Sequence, residues 1–150
     1  MTTRTTMAFR ELDGVLVAVH SANAPSDEEW AEYLAFCMRL PSTCWRTLAV
    51  TEGGGPNAKQ RRRMQEEYLR NHRMRVAVVT DAFVVRGIVT ALSWFNKETR
   101  WFPSLGLRDA LGYLEIRSTA AEGVLDGVAR MKEEVSGRHP PSFERAQSSR

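Results

Sequence analysis

Residues 74–95, MRVAVVTDAFVVRGIVTALSWF, decide the fold. The run Val76, Ala77, Val78, Val79 has no polar alternation, which is the pattern of a strand covered by helices on both faces. Thr80 and Asp81 supply a polar break, and Asp81 is placed to cap the free amides of a helix beginning near Ala82. Val85, Ile88, Val89, Leu92 and Phe95 recur at helical spacing, so the helix carries one apolar stripe. A buried strand feeding straight into such a helix is half of a parallel β/α unit.

Upstream, Ala8–Glu11 and Gly14–His20 read as a hairpin turning at Asp13-Gly14, a favoured two-residue pair. Ser26 and Glu29 have capping-box spacing at the start of a helix over Asp27–Leu40, with Trp30, Tyr33, Leu34, Cys37 and Met38 as its buried face. Pro41 stops it, and CWRTLAV, Cys44–Val50, reads as a strand. Asn57 and Gln60 repeat the cap spacing at the head of a helix reaching about Asn71, poor in apolar residues apart from Met64, Tyr68 and Leu69.

Downstream, Thr99–Phe102 is a short strand stopped by Pro103, and Ser104 is placed to cap a helix holding Leu107, Ala110, Leu111 and Leu114. Thr119 and Glu122 form a third capping box before Val124, Leu125, Val128, Met131 and Val135. The alternation predicts an α/β fold with a mostly parallel or mixed sheet of four or five strands and flanking helices. We expect residues 1–7 to fray, residues 8–136 to form one domain, and the polar, proline-broken tail 137–150 to be disordered.

At 150 residues the chain is one domain in size. No apolar run nears the ~20 residues of a membrane span. The N-terminus lacks the basic, apolar and small-residue sequence of a signal peptide, so a cytoplasmic location is expected. Cys37 and Cys44 form neither a CxxC pair nor a cluster with His20, His72 or His139, which predicts reduced thiols and no zinc site. Charge is uneven: residues 57–75 hold seven basic and two acidic residues, a local balance of +5 in a chain of net +3.

The opening hairpin into VLVAVHSANAPSDEEW, the strand RTLAVTEGG, and RVAVVTDAFVVRGIVTALSWFNKETRWFPSLGLRDALGYL together resemble the STAS domain in its SpoIIAA-like bacterial branch, over about residues 8–116. The resemblance implies a non-enzymatic module that binds another protein in bacterial signalling. It also implies a phospho-switch on a hydroxyl at the start of the helix after the middle strand. Thr51 is the one hydroxyl in that place, within Thr51-Glu52-Gly53-Gly54-Gly55, and no Asp-Ser-Ser-Gly-like sequence surrounds it.

The sharpest local feature is TEGGGPNAKQRRR, Thr51–Arg63. Three glycines permit a tight turn, a helix N-terminus follows, and Lys59, Arg61, Arg62 and Arg63 lie in its first turns, where cations oppose the helix dipole. Glu52, Glu66 and Glu67, or a bound anion, would offset them. Three readings stand side by side: a solvated basic loop, a surface for an acidic protein partner, and a phosphate or nucleotide site, the last without a Walker pattern. The candidate partner- or anion-binding residues are therefore Thr51, Glu52, Gly53, Gly54, Gly55, Lys59, Arg61, Arg62 and Arg63, with Thr51 as candidate phospho-acceptor.

Asp81 reads as a helix cap rather than a metal or proton-transfer carboxylate, and His20 as a core histidine rather than a general base. No catalytic residue, metal or cofactor is assigned. Trp94, Phe95, Trp101 and Phe102 read mainly as core, with a homodimer surface as the alternative. Nucleic-acid binding is not expected, since the basic stretch has one tyrosine, no reading motif and an acidic interruption at Glu66-Glu67. The function so predicted is a regulatory or scaffold domain binding protein through Thr51–Arg63; the alternative is a sensor or carrier of a small anion or lipid head group.

Overall fold

A computed structural model describes residues 5–92 and 98–136. Five strands, β1 (Met7–Leu12), β2 (Val15–His20), β3 (Arg46–Thr51), β4 (Arg75–Val79) and β5 (Thr99–Phe102), form one sheet in sequence order. β1 is antiparallel to β2, and β2 to β5 are parallel, so the fold is α/β with a mixed sheet. The hairpin turns at Asp13-Gly14, where φ is +51° and +78° as a two-residue turn requires.

Helices α1 (Asp27–Arg39), α2 (Ala58–Glu67) and α3 (Phe83–Leu92) are the crossovers, followed by α4 (Leu107–Tyr113) and α5 (Ser118–Ser136). Because the strands step in one direction and each crossover is right-handed, α1, α2 and α3 lie on one face. On that face Leu16 and Ala18 of the sheet pack with Trp30, Tyr33 and Leu34 of α1 and with Tyr68 at the end of α2. The other face is covered by α4 and α5, which bury Val15, Val17, Val19, Leu48, Ala77 and Val79 beneath Leu111, Val124, Val128 and Met131.

β2 is buried along its whole length, as its apolar run predicts. β4 is not: Ala77 and Val79 are buried while Val76 and Val78 are half-exposed. It lies one strand from the edge, beneath α2, whose apolar face is thin. Both predicted boxes at the carboxyl rim form, Ser26 with Glu29 and Asn57 with Gln60.

Several local expectations change. β3 starts at Arg46 because the Cys44 amide is held in a turn by the Pro41 carbonyl at 2.9 Å. Met38 is 55% exposed, not buried, since α1 and α2 leave a groove beside it. α5 begins at Ser118, which places Thr119 inside the helix, and Glu122 reaches Arg108 at 3.1 Å instead of closing a box. β1 begins at Met7, inside the stretch expected to fray, and Thr6 is bonded to Glu29. The predicted helix stripe runs on to Phe95, which with Trp94, His139 and the tail lies outside the described residues.

Candidate functional site

The candidate residues follow β3 at the carboxyl rim of the sheet, the usual ligand side of an open α/β fold. Thr51 is buried, and its hydroxyl donates to the Gly54 carbonyl while accepting from the Gly53 amide at 3.0 Å. The Glu52 amide donates to the His20 carbonyl at 3.2 Å, and the Gly54 amide to Ser21 at 2.9 Å. Gly54 is required by close approach: a Cβ there would lie 2.2 Å from the Asn23 carbonyl oxygen. The loop is thus fastened to the loop after β2, and the amides of Glu52, Gly53 and Gly54 are committed within the chain.

Asn57 caps α2 through the Gln60 amide at 2.8 Å, while the Gln60 side chain accepts from the Asn57 amide at 2.9 Å. Gln60 is also a buried hub that its cap spacing did not reveal. Its Nε2 donates to the Pro25 carbonyl at 3.0 Å and to Asp27 at 3.1 Å, and its carbonyl accepts from Trp30 Nε1 at 2.9 Å. These bonds lock the N-termini of α1 and α2 together and bring Asp27 beside the basic turn.

The four cations of that turn divide. Arg61 donates to the Pro56 carbonyl at 2.7 Å, and Arg63 pairs with Glu67 one turn on. Lys59 and Arg62 are exposed and have no partner among the described residues. Glu52 is exposed beside the turn, and Gly55 has open space around it.

Asp81 does not cap α3. Its carboxylate accepts from the Ser104 amide at 2.9 Å and from the Ser104 hydroxyl, which holds its pKa below the ordinary value, and Thr80 Oγ1 receives the Ala82 amide at 3.0 Å. Ser104 is accordingly no helix cap; α4 starts after Gly106 without a side-chain cap. His20 is buried with Nδ1 unpartnered, and burial lowers its pKa from 6.5 to about 4 against the opposing pull of Glu29. Cys37 and Cys44 are free and buried, and burial pushes Cys37 up to about 12, so its thiolate is suppressed. Among the described residues no cluster of His, Cys, Asp and Glu could hold a metal, and no helix is long and apolar enough to cross a membrane.

Of the aromatic residues, Trp101 and Phe102 are half-buried on opposite faces of β5. Trp101 Nε1 donates to the Thr80 carbonyl at 2.7 Å, and Phe102 packs on Tyr113 at 5.7 Å between ring centres. Trp45 belongs to a separate assembly at the amino ends of the strands. Arg46 and Arg75, register partners on β3 and β4, both lie over its ring, at 5.2 and 5.4 Å. They also donate to carbonyls at and just beyond the end of α4, Arg75 to Tyr113 at 3.1 Å and Arg46 to Glu115 at 3.1 Å. The signal available in sequence was only an arginine at the head of each strand.

No family model, curated protein or solved structure significantly matches the chain.

Proposed function

We propose that this chain is a non-enzymatic regulatory or scaffold domain of the SpoIIAA-like STAS kind, acting in the cytoplasm of a bacterium and binding an acidic protein surface. The observation that carries this reading is the pair Lys59 and Arg62, exposed and without a direct partner among the described residues, on a rim held by Gly54 and Gln60. Unpaired cations on a backbone held in place raise association rates with acidic partners and orient them. Arg61 and Arg63 contribute less, being engaged with Pro56 and Glu67. Phosphorylation of Thr51 has no part in this reading, because its hydroxyl is inside the loop and a kinase would have to open it.

The test is affinity capture from the native host with mass spectrometry. Lys59→Glu with Arg62→Glu should abolish capture of the specific partner and leave the circular dichroism spectrum unchanged, whereas Arg63→Glu should weaken it little. Partner capture that survives the double reversal contradicts the reading. The alternative, a sensor or carrier of a small anion or lipid head group, meets a loop in which the amides of Glu52, Gly53 and Gly54 are already bonded. A rise in melting temperature with phosphate, nucleotides or acidic lipids would favour that alternative.

A further inference from the structure

At the amino ends of the parallel strands, the opposite end of the sheet from Lys59 and Arg62, lies a cavity of about 450 Å³. It sits between the α1–β3 connection, residues 40–45, and the α2–β4 connection, residues 68–74, with Glu98 at the head of β5 on its rim. Small-molecule sites span roughly 300–1,000 Å³, so the space suits a ligand of modest size. Cys44 and Met74 of its lining are buried in the core on the α1 face, which gives the cavity an apolar inner wall.

Three groups on its walls have capacity to spare. Trp45 is 36% exposed, and the guanidinium groups of Arg46 and Arg75 hold its ring at 5.2 and 5.4 Å. His72 stacks on Tyr68 at 4.4 Å between ring centres, and its Nδ1 lies 2.8 Å from the Tyr68 carbonyl. A carbonyl only accepts, so Nδ1 carries the proton and Nε2 of the neutral ring is an acceptor. The Arg73 side chain is 89% exposed, and its closest carboxylate contact runs from Nε to Glu98 at 3.5 Å, while Glu98 also faces Arg75 at 3.9 Å. So exposed a pair is worth little. The two terminal nitrogens of Arg73, the fork that grips a carboxylate, hydrogen-bond nothing among the described residues.

We propose that this cavity binds a small aromatic carboxylate whose ring carries an O–H or N–H donor. The ring packs against Trp45, the donor reaches Nε2 of His72, and the carboxylate takes the Arg73 fork. Each group narrows the class. An aliphatic acid forfeits the Trp45 contact, an unsubstituted aromatic acid leaves Nε2 without a donor, and a neutral phenol leaves Arg73 to Glu98 alone. The site is separate from the Lys59–Arg62 edge, and neither depends on the other.

Calorimetric titration of the full chain with para-hydroxyphenylacetate, phenylacetate and tyrosol tests the proposal, since phenylacetate lacks the ring donor and tyrosol the carboxylate. The first should bind about fivefold more tightly than phenylacetate and about tenfold or more above tyrosol. Arg73→Ala should erase the preference over tyrosol. His72→Phe, which keeps a ring to stack on Tyr68, should erase the preference over phenylacetate, and Trp45→Ala should weaken all three. Circular dichroism checks that each variant is folded; Arg73, being the most exposed, decides the matter if Trp45→Ala does not fold. Lys59→Glu with Arg62→Glu should leave all three affinities unchanged. Absence of heat with every probe at millimolar concentration overturns the proposal. So does tyrosol binding as tightly as the acids, an affinity that Arg73→Ala leaves intact, or one lost in the Lys59/Arg62 reversal, which would move the acid to the other end of the sheet.

Discussion

At Gly54 a single missing methyl group sets the position of the candidate site. The chain after β3 crosses so close to Ser21 and Asn23 that a Cβ would overlap their carbonyl oxygens at 2.5 and 2.2 Å, both backbone atoms that cannot swing aside. Gly54→Ala should therefore lower stability by about 2 kcal/mol, read as a lower urea midpoint. Gly55→Ala, with nothing within 4 Å, should stay within about 0.5 kcal/mol of the wild type. The glycine run is plain in sequence, yet which glycine is indispensable depends on a loop some thirty residues away.

His20 gives a pH prediction at the same scale. It titrates near 6.5 when unfolded and at about 4 when folded, so between these values the unfolded chain holds the extra proton and stability falls as pH drops. The full difference is about 3 kcal/mol. Glu29 adds to the acid sensitivity: burial pushes its pKa up, but hydrogen bonds from Ser26 and Thr6 outweigh this and hold it low, so its contribution is lost in more acid solution. His20→Leu should flatten the dependence of the urea midpoint on pH between about 4 and 6.5, and an unchanged slope would remove His20 as the cause.

At the scale of elements, a capping pattern works only where the chain places it at a helix end. Ser26 and Thr119 carry the same spacing, and only Ser26 forms the box. Ser26→Ala should cost about 1 kcal/mol, and Thr119→Ala close to nothing, measured by denaturant titration of each variant. The arginines of β3 and β4 belong here too. They supply hydrogen bonds to carbonyls that the end of α4 would otherwise leave unpaired, and cations there also suit the helix dipole.

For the whole molecule, the stretch resembling the STAS domain ends near residue 116, while α5 lies beyond it. The two are not independent, because α5 contributes Val124, Val128, Met131 and Val135 to the core over β1 and β2. Ending the chain at Arg117 would uncover Val15, Val17 and Val19 and forfeit apolar burial comparable to a small domain's total stability, on the order of 5–15 kcal/mol. Such a chain should lack a cooperative thermal transition and bind a hydrophobic dye. Met131→Ala alone should cost about 2–5 kcal/mol.

Sequence by itself determined what neighbouring residues can settle: the Asp13-Gly14 hairpin, the boxes at Ser26 and Asn57, four or five strands alternating with helices, and hence the α/β class. Each rests on backbone preference, or on a side chain reaching an amide three positions away. Tertiary structure decided the rest. It turned Asp81 from its own helix to Ser104, buried Gln60 between two helix ends, fastened Gly54 beneath Asn23, and left Phe83 and Leu105 in solvent. Those outcomes depend on hydrogen-bond partners and packing surfaces brought together across the sheet from positions far apart in the chain, where periodicity and composition carry no distances.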